Sequence, residues 1–171
     1  MARVRVRPAA GDDADAIARI WIGGWRVAYR GLVPDRVIDA LRPEDREALW
    51  RGRLTVADPG ARTLVAVIDE QLVGYCRLAL PSRDDDAGTG TCEIASLYVA
   101  SDRRRGGIGR ELLSVALAEL ETDGWAEVTL WVFSENTSAR AFYASHGFEP
   151  DGRTGYDELC ELDDIRLRAR F

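Results

Sequence analysis

The chain has 171 residues, 46% of them apolar, and a net charge of −6, which is the length of one ordinary domain with enough apolar material for a core. Five tryptophans argue against disorder, and the acidic balance excludes wholesale nucleic-acid binding, since polyanion binders carry a basic excess. No apolar run approaches the roughly 18–20 residues of a membrane helix, so the chain does not read as a membrane protein.

The segment Met1-Ala2-Arg3-Val4-Arg5-Val6-Arg7 alternates charged and apolar residues. It reads as a first strand over 3–7, stopped by Pro8, and not as a signal peptide. Asp12 or Asp13 can cap a helix over 14–29, with Ile17, Ile20, Trp21, Trp25 and Ala28 on one face. Gly23-Gly24 interrupts that face and marks either a bend or a close approach. Gly31-Leu32-Val33-Pro34 is a turn, and short helices are expected over 35–41 and 43–54, the second with Pro43 in its first turn. Asp58-Pro59-Gly60 closes this helical block.

Two strand-like runs, 63–68 and 72–80, flank Asp69-Glu70-Gln71 and read as an antiparallel hairpin. A polar loop containing Asp84-Asp85-Asp86 leads to a strand over 92–99, a glycine-rich turn and a helix over 109–121. A strand over 126–133 and a helix over 137–145, stopped by Gly147, come next. Closing strands are expected over 148–151 and 160–170, joined by a Gly/Asp-rich loop. No repeat or linker divides the chain, so residues 1–171 read as a single α/β domain. Cys76, Cys92 and Cys160 are odd in number and lack metal-ligand spacing, which points to no metal site and to a reduced, cytoplasmic protein. All 23 basic residues are arginine.

The chemistry concentrates at Arg104-Arg105-Gly106-Gly107-Ile108-Gly109-Arg110, between the strand ending Leu97-Tyr98-Val99 and a helix. Glycines there let the backbone come close to a ligand, and the helix start aims unpaired N–H groups and the positive dipole end at it. That arrangement binds phosphate or pyrophosphate. A P-loop would need a lysine, and none is present. A dinucleotide fingerprint starting at Gly107-x-Gly109 would need a third glycine where Leu112 stands, and it would follow a βαβ opening, not a hairpin.

The remaining pattern, Arg104-x-x-Gly107-x-Gly109, resembles the acetyl-CoA pyrophosphate site of the GNAT superfamily of acyl-CoA-dependent N-acyltransferases. Asn136-x-x-Ala139-x-x-Phe142-Tyr143-x-x-x-Gly147-Phe148 resembles that family's next segment, and Trp25-x-x-x-Tyr29-Arg30-Gly31-Leu32-Val33-Pro34 is similar to a bacterial subgroup. The resemblance covers nearly the whole chain. It implies a mixed, mostly antiparallel α+β sheet of about seven strands whose fourth and fifth strands splay apart. By the same resemblance, acetyl-CoA would lie in that gap on the backbone of Leu97, Tyr98 and Val99. Its pyrophosphate would rest on Arg104 to Arg110, and Asn136 and Ala139 would touch it nearby.

Tyr143 resembles the family's general acid, since a tyrosine stays protonated at neutral pH and can give a proton to the departing thiolate. Its other reading is an aromatic core residue. Glu93 stands where some members carry a general base, and its other reading is an ordinary strand residue. Trp25 and Tyr29 on the first helix, with Glu93, Trp131 and Ser134, are candidates to border the acceptor, although an aromatic stripe at helical spacing also suits a core. Asn136 also reads as a helix cap, and Asp84-Asp85-Asp86 as a solvated loop or a cation-attracting one.

The implied reaction is transfer of an acetyl group to a small-molecule or peptide amine by direct attack. Polyamine, amino sugar, amino acid and protein amines all stay open at this point. The alternative is an acyl-CoA sensor or partner-binding module without chemistry. The closing strands offer edges that could pair in a homodimer.

Overall fold

Leu64, Val65, Ala66 and Val67 are all buried although successive residues of one strand point to opposite faces. Such a strand requires cover on both sides of its sheet. In the computed structural model, which describes residues 3–56 and 58–171, helices supply it. Met1, Ala2 and Ala57 lie outside the described residues, so the first strand is described from Arg3 onward.

The strands are β1 (Arg5–Pro8), β2 (Ala61–Ile68), β3 (Gln71–Ala79), β4 (Thr91–Val99), β5 (Glu127–Phe133), β6 (Glu149–Asp157) and β7 (Leu162–Arg170). They form one sheet in the order β1-β2-β3-β4-β5-β7-β6, in which only the β4–β5 pair is parallel. The helices are α1 (Ala14–Ala28), α2 (Asp35–Asp39), α3 (Pro43–Thr55), α4 (Ile108–Thr122) and α5 (Thr137–Ala144). One face carries Leu64, Ala66, Cys76, Leu78, Ile94 and Leu130 under Leu112, Leu113 and Ala116 of α4 and Tyr143 of α5. The other carries Val65, Val67 and Tyr75 under Ile17, Ala18 and Ile20 of α1 and Trp50 of α3.

Two local expectations change and a third is decided. Asp13 occupies the N-cap position of α1, but its carboxylate accepts from the Arg7 guanidinium and the Ala10 N–H, not from the helix. Of the two readings of Gly23-Gly24 the close approach is the one seen at Gly24: a Cβ there would lie 2.5 Å from the Tyr98 ring, so the glycine seats the helix on β4. Residues 152–157, expected as a loop, continue β6. Pro150, Gly152 and Gly155 are tolerated there because β6 is an edge strand with a register irregularity between Pro150 and Thr154. Of the closing strands, therefore, only β6 presents a free edge, because β7 is inserted between β5 and β6.

Candidate active site

β4 and β5 pair only at Thr91↔Glu127, Cys92↔Val128 and Glu93↔Thr129. Beyond these pairs β4 runs on to Val99 and β5 to Phe133 without meeting. The β5-facing backbone of that half of β4 thus has no strand partner among the described residues, and unpaired backbone groups seek one. A cavity of about 830 Å³ occupies the gap. It is lined from β4 by Ile94 to Val99, from the turn by Arg103 to Arg105 and by Gly107, from α4 by Ile108 to Arg110, and from α5 by Ala139, Phe142 and Tyr143.

At the turn Arg105 and Gly107 both hold left-handed backbone, with φ of 65° and 79°. Gly107 is the N-cap of α4 and offers no side chain to the helix start. The first N–H groups of α4, at Ile108, Gly109 and Arg110, therefore point outward with the positive end of the dipole. A Cβ on Gly109 would reach the Phe142 ring and Val99 only at 3.6 Å, an ordinary contact, so the protein itself does not demand glycine there.

At the opposite edge Asn136 caps α5, its Oδ1 accepting from the Ala139 N–H at 3.1 Å. Its Nδ2 donates to the Tyr29 hydroxyl at 3.4 Å, which links the end of α1 to the start of α5 across the mouth of the gap. Asn136 therefore caps the helix and also lines the cavity. Tyr143 is 8% exposed, lines the cavity, and packs its ring on Phe142 and Phe148. Burial, with smaller contributions from Cys76 and Tyr29, pushes its hydroxyl well above the ordinary tyrosine range, so it stays protonated.

Trp25 and Tyr29 are packed and line the cavity at once. Their rings form a packed group with Phe133, at 4.7 Å between Trp25 and Tyr29 and 5.3 Å between Tyr29 and Phe133, and the group walls the cavity. Trp131 lines it too, its indole N–H donating to Asp84 at 2.9 Å. Ser134 is not among the lining residues; its hydroxyl donates to Glu135. Glu93 is 4% exposed and also off the lining, its carboxylate accepting from the Arg83 backbone N–H, from Nε at 3.0 Å and from Nη2. Gly106 supports the turn without lining the cavity.

The acidic loop is neither free nor solvated as a whole. Asp84 and Asp86 accept from Arg166, which is 3% exposed, and Arg166 also donates to Asp151. The Arg166 hydrogen bonds hold the Asp86 carboxyl down at about 2. The loop is thereby clamped to Trp131 of β5 and Arg166 of β7. Asp157 and Asp164 line the cavity and had no sequence signal, because the register of β6 against β7 brings them there.

Residues 25–148 match the acetyltransferase (GNAT) family. The uncharacterized N-acetyltransferase YuaI of Bacillus subtilis is 26% identical over 167 residues, covering 96% of this chain and 89% of that protein. The phosphinothricin N-acetyltransferase of Alcaligenes faecalis is 32% identical over 149 residues, covering 86% of this chain and 71% of that protein. Among solved structures, the PaiA N-acetyltransferase from Thermoplasma acidophilum in complex with coenzyme A aligns with a TM-score of 0.81 at 19% identity, covering 99% of each chain. With the family match spanning the anion cradle, the splayed strands and the start of α5, the chain belongs to the acetyltransferase (GNAT) family.

Proposed function

We propose that this protein transfers the acetyl group of acetyl-CoA to a primary amine by direct attack on the thioester. The observation that carries this reading is the continuous cavity that joins the α4 N-terminus to the unpaired half of β4 and ends beside Tyr143. A pyrophosphate fits the outward N–H groups of Ile108, Gly109 and Arg110, with Arg104 and Arg105 adding charge. The pantetheine arm carries two amides that can take the place of the missing strand neighbour of Leu97 to Val99.

The amine attacks the thioester carbon, the C–S bond breaks, and CoA leaves as thiolate. A main-chain N–H near Val99 polarises the carbonyl oxygen, and Tyr143 gives its proton to the sulfur. Glu93 takes the amine's proton by way of solvent. A carboxylate has about four acceptor sites, and Arg83 takes three of them, which leaves room for a bridging water. The cysteines are not nucleophiles: Cys76 is fully buried, and burial pushes its thiol up to about 12. Three free, buried cysteines also suit a reducing, cytoplasmic setting, and the β6 edge is the surface for any homodimer.

Release of free thiol from acetyl-CoA on adding an amine tests the reaction. Tyr143→Phe is expected to lower turnover by about 100-fold or more while CoA binding and melting temperature hold, because the hydroxyl hydrogen-bonds to no group among the described residues. Glu93→Gln is expected to slow turnover with little change in the KM for acetyl-CoA. Unchanged turnover in Tyr143→Phe would remove that residue from the mechanism. A sensor without chemistry would bind CoA and release none of it as thiol with any amine.

A further inference from the structure

The cavity wall remote from the anion cradle holds a charge that acetyl transfer by itself does not require. Asp164 on β7 lines the cavity, and its Oδ1 is fully buried with no hydrogen-bond partner. Strand register places it beside Phe133 on one side and Gly155 on the other. Glycine at 155 makes room for the carboxylate, since a Cβ there would run into Asp164 Oδ1. Asp157 lies two residues further along β6 and lines the cavity as well, held by the Cys160 N–H at 2.8 Å. Burial, and then the nearby Asp157, raise the Asp164 carboxyl above the ordinary carboxylate range, outweighing the backbone N–H groups of Asp164 and Gly155 that pull it down.

The rest of this sheet face is treated differently. Along β7, Arg166 and Arg168 alternate with buried residues on the same side as Asp164. They pair with Asp84, Asp86, Asp151 and Glu127. Arginine therefore holds Asp84, Asp86, Asp151 and Glu127, while Asp157 and Asp164 have no cation within salt-bridge distance among the described residues. Asp164 is half-buried with its Oδ1 sealed from solvent, and a carboxylate drawn part-way out of water without a cation is costly, so a fold that supplies arginines next door keeps this one open where a ligand brings the charge. The adjoining wall is aromatic: Trp25, Tyr29 and Phe133 present rings, and Trp25 Nε1 is a second buried group without a partner. Ring faces attract cations.

We propose that the acceptor carries a positive charge separate from the nitrogen that is acylated, and that Asp164, with Asp157 beside it, receives that charge against the Trp25–Tyr29–Phe133 wall. The inference rests on the transferase reading for the reacting end of the acceptor. The attacking nitrogen must be neutral, so it cannot be the charge the carboxylates hold. A diamine satisfies both requirements.

The test uses putrescine and n-butylamine on the full chain saturated with CoA, with binding read by calorimetry and turnover by thiol release. Wild-type protein is expected to bind putrescine and to use it with a KM at least about 10-fold below that of n-butylamine. Asp164→Asn removes the charge and keeps the shape. It is expected to weaken putrescine by about 10- to 100-fold, the worth of one charge-assisted hydrogen bond, with the KM for acetyl-CoA unchanged. Asp157→Asn should act in the same direction and less. Melting temperature should not fall in either variant, because each relieves like-charge repulsion. Equal use of the two amines by wild type, absent putrescine binding, or putrescine affinity unchanged in Asp164→Asn would each overturn the proposal. Putrescine binding that depends on Asp164, without thiol release from any amine, would support it and sink the transferase reading instead.

Discussion

Replacing Arg166 by methionine should destabilise this protein more than the loss of any of its exposed ion pairs. The Arg166 side chain is 3% exposed and donates to Asp86 at 2.6 and 2.9 Å, to Asp84 at 3.1 Å and to Asp151 at 2.7 Å. Methionine has similar reach but leaves those carboxylates facing each other around an apolar chain. Removing one partner of a buried ion pair costs about 3–5 kcal/mol. In a domain of this size each kcal/mol shifts the melting temperature by about 2–4 °C, so the variant should melt roughly 6–20 °C lower at neutral pH. The effect is pH-dependent with a defined sign. Arg166 holds Asp86 at about 2. The Asp151 carboxyl is also held low: burial pushes it upward and is outweighed by the Arg153 N–H, Arg168 and Arg166. A lowered folded pKa stabilises above the unfolded value near 4, and that stabilisation disappears as pH falls through the folded value. The wild-type advantage should therefore be full at neutral pH and shrink between about pH 4 and pH 2. Thermal melts followed by circular dichroism across that range measure it. A loss under about 3 °C at neutral pH, or a gap as wide in acid as at neutrality, would refute the reasoning.

Two backbone predictions follow from the glycines that position the site. Gly107→Ala places a Cβ on left-handed backbone at φ 79°, which should cost about 1 kcal/mol and weaken CoA as the N–H groups of α4 lose their aim. Calorimetry with CoA checks this, and parental affinity in the variant would count against the cradle. Gly24→Ala drives a methyl to 2.5 Å from the Tyr98 ring, so a stability loss of about 1–3 kcal/mol is expected in denaturant melts. An unchanged midpoint would mean that α1 slides over β4 without strain.

What could be read along the chain was whatever depends on neighbours in sequence. The turn from Arg104 to Gly109 carries its meaning locally, because a left-handed glycine followed by a helix start is an anion cradle wherever the rest of the chain goes. Asn136 before Ala139 is likewise a cap by spacing alone. Only the start of β6 was legible, as the strand expected over 148–151; its continuation was not, because Gly152 and Gly155 look like loop residues and only the position at the sheet edge makes them acceptable. The Asp84-Asp85-Asp86 loop looked solvated because nothing nearby in sequence announces Arg166, eighty and more residues away.

By itself, then, the sequence determined most of the secondary-structure elements, their order, and the glycine turn at the start of α4, all consequences of local periodicity, capping and turn chemistry. Only the tertiary structure decided what lines the cavity away from that turn. It turned Trp25 and Tyr29 into a cavity wall, drew Glu93 onto Arg83, and left Asp164 open beside paired neighbours. Those outcomes depend on where β4 and β5 part and on how β6 registers against β7. Cross-strand register is set by long-range packing, and no stretch of neighbouring residues encodes it alone.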